Sequence, residues 1–337
     1  MAGTLHGFGL GVASKNANGD VLDVFYPAPL ANISGDLVSI FDGVSGELKA
    51  TEIRALSDGL RSAGEHSLAD IAVRLSEAGR PVVASLLADN AAPQTVADAY
   101  LKLHLLSHRL IKPHGTDLTG MFALLPNVAW TDEGPIDLAE LADRQLTSRL
   151  KGRVLEVASV DKFPKMTNYV VPSGVRIAHT ARVRLGAYLG SGTTVMHEGF
   201  INFNAGTDGP GMIEGRISAG VMVGKGSDLG GGCSTMGTLS GGGNIIISVG
   251  ESCLLGANAG LGIPLGDRCT VEAGLFVTAG TKVTVLDDAR EAVETLAARH
   301  LSGQSDLLFR RNSQSGSVEC LTNQTAIELN ESLHDNN

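Results

Sequence analysis

The chain has 337 residues and 34.9 kDa, with 43% hydrophobic positions, which is enough for two or three domains with real cores. Its 26 Lys and Arg against 36 Asp and Glu give a net charge of −10, which argues against a general nucleic-acid or anionic-membrane binder. Glycine is abundant at 43 residues, but with 11 prolines, no Gly-X-Y period and 18% charged positions the chain is neither collagen-like nor disordered.

The N-terminal stretch MAGTLHGFGLGVASKNANGD lacks a basic region followed by a continuous apolar run, so no signal peptide is read. No apolar run approaches the roughly 20 residues that span a bilayer, and a cytoplasmic location is expected. Residues 1–150 read as a mostly helical domain after a short strand-like start. Ser67 and Asp70 resemble a capping box ahead of the stripe Leu68, Ile71, Ala72 and Leu75, with Gly79 and Pro81 as the stop. Thr95 and Asp98 open a second helix with the face Val96, Ala99, Tyr100, Leu103 and Leu110. A third helix after Pro135 carries Leu138, Leu141, Ala142 and Leu146. His104 and His108 share a face of the second helix, but with no HExxH glutamate a structural role outweighs a metal site.

Residues 151–174 connect to a segment of different character. From Gly190 to Gly280 there are 24 glycines in 91 residues, a density that penalises helix heavily. An aliphatic residue recurs at every sixth position: Ile177, Val183, Leu189, Val195 and Ile201, then Ile213 after a skipped site at Thr207. Further phases run Ile217, Val223, Leu229; then Val249, Leu255, Leu261; then Leu265, Val271, Val277, Val283. A period of six suits neither a helix nor plain strand alternation. It fits hexapeptide repeats of a parallel β-helix over residues 175–286, in which inward aliphatic residues stack coil on coil. The phase breaks at Ile213–Ile217, Leu229–Val249 and Leu261–Leu265 mark insertions or corners. The segment Thr238-Leu239-Ser240-Gly241-Gly242-Gly243 and the stretch NFNAGTDGPGM at 202–212 are read as loops on a ligand-binding face. Residues 287–337 form a β tail, in which LLFRRNS and SVECLT flank Gln314-Ser315-Gly316 as a hairpin; EAVETLAARHL reads equally as helix or strand. Cys233, Cys253, Cys269 and Cys320 form no CxxC pair and are expected to be buried free thiols.

Five segments carry a resemblance: MHEGFINFNAGTDGPGMIEGRISAG at 196–220, VGKGSDLGGGCSTMGTLSGGG at 223–243, LLGANAGLGIPLGD at 254–267, VEAGLFVTAGTKV at 271–283 and LLFRRNS at 307–313. Together with LKLHLLSHRL and LLPNVAW in the first half, they resemble the tetrahydrodipicolinate N-succinyltransferases of lysine and diaminopimelate biosynthesis. The resemblance implies a mainly β fold: a left-handed β-helix, a helical N-terminal domain and a short C-terminal β tail. It implies a homotrimer with active sites between subunits. The implied reaction moves a succinyl group from succinyl-CoA to the amine of L-2-amino-6-oxopimelate.

Residue by residue, Glu214 in Ile213-Glu214-Gly215-Arg216 matches the family's acyl-anhydride nucleophile, with general base as the alternative role. Arg216 matches a substrate-binding position suited to a carboxylate, and Gly231 and Ser234 match further ligand contacts. Ala257, Glu272, Ala273 and Gly280 match positions of the cofactor groove. Arg310, Arg311, Asn312 and Ser313 match the tail motif at the CoA site. Glu198 matches a position that holds magnesium near the trimer axis, while the second acidic position is Ala181 here and the lysine before the tail is Ala297. On a strand, His197 and Glu198 point to opposite faces, so they are not expected to act as an acid–base pair. The competing readings are a hexapeptide acyltransferase acting on another amine or hydroxyl, and a non-enzymatic β-solenoid. The first usually relies on a catalytic histidine, and the coils hold only His179 and His197.

Overall fold

The computed structural model describes residues 4–237 and 245–322. They form two compact units: one of residues up to Ile111 with Gly115–Pro164 and Asn168–Val170, the other of Lys112–His114, Lys165–Thr167 and the chain from Val171 onward.

The first unit is built on the strand Leu5–Lys15, which pairs antiparallel with Val21–Phe25, Leu30–Ile33 and Val82–Leu87. Its alternation is apolar against glycine. Phe8 and Leu10 face one side and join Ile53, Leu56, Leu60, Ala69 and Ala72 of the helices Ala50–Ser62 and His66–Ser76. Gly7 and Gly9 face the other side, where a Cβ on Gly9 would lie 2.6 Å from the Tyr26 ring and 2.8 Å from Leu101 Cδ1. A Cβ on Gly7 would lie 3.0 Å from Leu105 Cδ1. The glycines thus let the helix Val96–Ser107 pack directly on the sheet. The expectation of a mostly helical domain is corrected: among the described residues, six helices share this unit with eight strands. The strand-like start is the strand Leu5–Lys15; its partners Val21–Phe25, Leu30–Ile33 and Val82–Leu87 are too short to show a clear period.

The three expected helices are present, with changes. Thr95 caps as predicted: its hydroxyl accepts the Asp98 N–H at 3.1 Å and the Asp98 carboxylate accepts the Thr95 N–H at 3.0 Å. The helix ends at Ser107, so Leu110 lies beyond it. Ser67 and Asp70 make no cap, because the helix already starts at His66 and the Asp70 carboxylate pairs with Arg61 of the preceding helix. The third helix, Leu138–Leu150, is capped by Asp137, which accepts the Ala139 N–H at 2.9 Å. His104 is fully buried; its Nδ1 donates to the Tyr100 carbonyl at 2.7 Å and its Nε2 accepts the Tyr26 N–H at 3.2 Å.

The second unit is a stack of coils with three faces. The first parallel sheet runs from Arg176–Ile177 through Thr193–Val195, Gly211–Ile213, Asp228–Leu229 and Leu254–Leu255 to Thr270–Val271. The second runs Phe200–Ile201, Arg216–Ile217, Ser234–Thr235, Gly260–Gly262, Phe276–Thr278. The third runs Ala187–Leu189, Ala205–Thr207, Met222–Val223, Ser248–Val249. The hexad residues are the inward ladders: Val195, Ile213, Leu229, Leu255 and Val271 on the first face are all buried, each contributing about 1.5–3 kcal/mol. Thr207 fills the skipped hexad site in full burial, its hydroxyl accepting the Gly209 N–H at 3.1 Å. NFNAGTDGPGM is therefore no protruding loop but an ordinary coil segment, and that expectation is corrected. The segment expected as a loop at Thr238–Gly243 lies outside the described residues.

The tail extends the first sheet. Leu307–Arg311 pairs in parallel with Thr270–Val271 and closes the predicted hairpin with Val318–Thr322. The ambiguous EAVETLAARHL segment is the strand Ala292–Ala297 followed by a 3-10 turn, Ala298–Leu301. The four cysteines are free and buried. No helix among the described residues is long and apolar enough to cross a membrane.

Candidate active site

The corners joining the first face to the second differ in length. Six positions separate the inward residues Val195 and Ile201, Leu229 and Thr235, Leu255 and Leu261, and Val271 and Val277, but only four separate Ile213 from Ile217. The short corner Glu214-Gly215-Arg216 is thus flanked by longer ones on both sides and forms a step in the coil edge. Glycine is required at its centre: a Cβ on Gly215 would lie 2.3 Å from Cys233 Sγ and 2.7 Å from the Cys233 carbonyl oxygen. That oxygen accepts the Arg216 N–H at 2.8 Å. Burial, and then the nearby Glu214 carboxylate, push the Cys233 thiol up to about 12. The thiol therefore stays protonated and is a poor nucleophile.

Above the step the corner residues stack in a column. The Gly232 N–H donates to the Glu214 carbonyl at 3.3 Å, Asn258 N–H to Gly231 at 2.9 Å, and Gly274 N–H to Ala257 at 2.8 Å. Gly231 sits directly over the carboxylate, since a Cβ there would lie 3.7 Å from Glu214 Oε2. Beside the column, the outward row of the second face runs Phe200, Arg216, Ser234, Gly260, Phe276 in register. Arg216 donates from Nε and Nη2 to Ser234 Oγ at 3.0 and 2.7 Å, which fixes the guanidinium while leaving its remaining N–H groups for a carboxylate.

The structure therefore brings Glu214, Arg216, Gly231, Ser234, Ala257, Glu272 and Ala273 to one corner column and its adjoining row. Gly280 lies exposed at the following corner and is not on that column. The tail motif meets the column through Glu272, whose carboxylate accepts the Arg311 N–H at 2.6 Å. Arg310 is turned onto Glu319: its Nε donates at 3.0 Å and its Nη2 lies 2.9 Å from the same oxygen. Asn312 Nδ2 donates to the other oxygen of Glu319 at 2.7 Å. Asn312 first, and then Arg310, hold the Glu319 carboxyl below the usual range. Glu319 was missed from the sequence, although the hairpin turn at Gln314-Ser315-Gly316 places it opposite Arg310 across the strands. Arg311 stays exposed, its Nη1 donating to the Gly316 carbonyl at 2.9 Å, and Ser313 is exposed in the turn.

Glu198 lies apart, at the corner Met196–Gly199. His197 and Glu198 were expected on opposite faces, but they occupy a turn, and His197 Nδ1 lies 3.0 Å from Glu198 Oε1. His197, and then Arg182, hold the Glu198 carboxyl below its ordinary value. Arg182 Nη2 contacts the same carboxylate at 3.3 Å, and Ala181 offers no ligand. Among the described residues no group of three or more His, Cys, Asp and Glu could hold a metal. Within one chain, Glu198 is a lone carboxylate paired with His197 and Arg182.

In comparisons with known proteins, the family description "Tetrahydrodipicolinate N-succinyltransferase middle" matches residues 125–165, and "Hexapeptide repeat of succinyl-transferase" matches residues 246–279. A 2,3,4,5-tetrahydropyridine-2,6-dicarboxylate N-succinyltransferase of Pseudomonas paraeruginosa is 63% identical over the whole of both chains. That of Vibrio cholerae is 57% identical over 98% of each. A crystal structure from Campylobacter jejuni, named for a tetrahydropyridine-2-carboxylate N-succinyltransferase, superposes with a TM-score of 0.86 at 32% identity, covering 96% of this chain and 93% of that one. With full-length relatives at this identity and a column of carboxylate, guanidinium and small residues along a hexapeptide coil edge, the chain belongs to the tetrahydropyridine-2,6-dicarboxylate N-succinyltransferase family.

Proposed function

We propose that the chain transfers succinyl from succinyl-CoA to the amine of L-2-amino-6-oxopimelate, the ring-opened hydrate of tetrahydrodipicolinate. The products are CoA and N-succinyl-2-amino-6-oxopimelate, on the route to lysine and diaminopimelate. The observation that carries the reading is the short corner. It holds Glu214 under Gly231 and beside Arg216, whose guanidinium is already oriented by Ser234. Arg216 binds a carboxylate, which both donor and acceptor possess. Backbone N–H groups of the glycine-rich corner supply donors for the developing oxyanion.

Two roles for Glu214 fit that position. As nucleophile, its carboxylate attacks the thioester carbonyl and CoA leaves as the thiolate, which takes up a proton. The acceptor amine then attacks the resulting anhydride and regenerates the carboxylate. As general base, it takes the proton from the amine while the amine attacks the thioester directly; the C–S bond then breaks and the proton passes to the departing CoA thiolate. Glu214→Gln abolishes turnover in both cases, with CoA binding and the assembly intact; near-normal turnover removes Glu214 from the mechanism. Mass spectrometry of protein quenched with succinyl-CoA alone separates the roles, because only the nucleophile adds a succinyl group.

Ala257, Glu272, Ala273 and Gly280 are assigned to the donor groove, and Arg311, Asn312 and Ser313 to its CoA end. Arg310 acts there by holding the hairpin through Glu319. The coils are left-handed, and the chain works in the cytoplasm as a homotrimer whose neighbouring β-helices complete each site. The exposure of Arg216, Ala257 and Ala273 on a single chain supports that arrangement.

A further inference from the structure

The outward row that carries Arg216 and Ser234 continues through Gly260 to Phe276. Phe276 is 54% exposed, yet its ring does not stand away from the coil. A Cβ on Gly260 would lie 2.0 Å from Phe276 Cδ1 and 2.2 Å from Cε1, so the ring lies across the glycine and leans back toward Ser234. Any side chain at 260 would lift it. A glycine inside a strand forgoes packing and marks a place where something approaches closely, and an exposed aromatic face gains only when covered. Along one straight row the surface thus grades from guanidinium to hydroxyl to an aromatic face. With coils about 4.8 Å apart, the ring over Gly260 lies roughly 10 Å from Arg216.

Resting on the succinyl-transfer reading, we propose that Phe276 is the platform for the thioester arm of the acyl donor, and that Gly260 is the gap that lets its ring lie flat. The terminal carboxylate of the succinyl group meets Arg216, and its thioester carbonyl lies at Glu214. The methylene and amide stretch beyond the sulfur crosses the ring on its way toward the tail. Phe276 touches no reacting atom; it selects a donor with a long, partly apolar arm.

The test uses the full chain. Initial rates of thiol release are measured with succinyl-CoA varied at saturating acceptor, together with sedimentation of each variant. Phe276→Ala raises the donor KM about tenfold, as expected for loss of an aromatic contact. The saturated rate and the acceptor KM stay unchanged, and Phe276→Tyr, which keeps the ring, retains the wild-type KM. Gly260→Ala raises the donor KM in the wild type and adds nothing in the Phe276→Ala background, because its effect runs through the ring. An unaltered donor KM in Phe276→Ala overturns the proposal, as do additive effects of the two substitutions. A changed oligomeric state also overturns it, since the ring would then serve a subunit contact. A wild type with no acceptor-dependent release instead overturns the succinyl-transfer reading, and this one with it.

Discussion

Replacing Gly215 by alanine adds one methyl group at the point where the short corner touches the coil above. The new Cβ would sit 2.3 Å from Cys233 Sγ and 2.7 Å from the Cys233 carbonyl oxygen, where ordinary contacts lie near 3.5–4.0 Å. Relief by rotation of the thiol is blocked, because Cys233 is buried at 1% exposure. The corner itself must therefore move by about 1 Å, on the difference between those distances. The motion strains the 2.8 Å bond from the Arg216 N–H to that same carbonyl. Overpacking costs about 1–3 kcal/mol, and weakening one backbone hydrogen bond adds about 1 kcal/mol. Because Glu214 and Arg216 flank the moved residue, a displacement of this size lowers the turnover rate about 100-fold. Thiol release under saturating substrates measures the rate, and a thermal melt with sedimentation shows whether the fold and assembly persist. A folded Gly215→Ala protein turning over at the wild-type rate would refute the tight corner as the device that positions Glu214.

The buried Glu319 makes the tail hairpin dependent on its charge. Glu319→Gln keeps the fold of the coils but loosens the hairpin by about 1–2 kcal/mol, which is read as faster proteolysis between Asn312 and Ser317 and a raised KM for succinyl-CoA; equal resistance and KM would contradict the pairing. A third expectation concerns acid. Burial pushes His104 down to about 3 from 6.5, so below 6.5 the unfolded chain takes up a proton that the folded one refuses, and stability falls as pH drops toward 3. At pH 5.5 the loss amounts to about 1.4 kcal/mol. His108 and His6 are shifted the same way by burial, whereas the raised carboxyl of Asp23 acts in the opposite sense at lower pH. Trp130, the chain's single tryptophan, lies in this unit and reports its denaturant midpoint; a midpoint constant between pH 7.5 and 5.5 would contradict the neutral, doubly bonded imidazole.

The coils were legible because their geometry is written in single residues. Each hexad position from Val195 to Val277 that the sequence offered as inward is buried, and the four-residue step at Ile213–Ile217 marked the corner where Glu214 now lies. The helix cap at Thr95 was equally local. What escaped depends on partners distant in sequence. The strand-like start is the strand Leu5–Lys15, but the purpose of its glycines appears only when Leu101 and Leu105 pack on them. His197 and Glu198 were placed by strand rules in a segment that turns. Arg310 looked like a free cation until the register of the hairpin set Glu319 against it. Phe276 carried no signal at all, because its neighbour in the row is Gly260, 16 positions away.

The measurement that tests the central claim most directly is the release of coenzyme A thiol by the purified protein. Succinyl-CoA is supplied with and without tetrahydrodipicolinate, and acetyl-CoA serves as a parallel donor. Release that depends on the acceptor and prefers succinyl-CoA is the predicted result. No acceptor-dependent release from either donor would contradict succinyl transfer while leaving the coil architecture untouched, and would turn attention to other amine acceptors before a non-enzymatic solenoid.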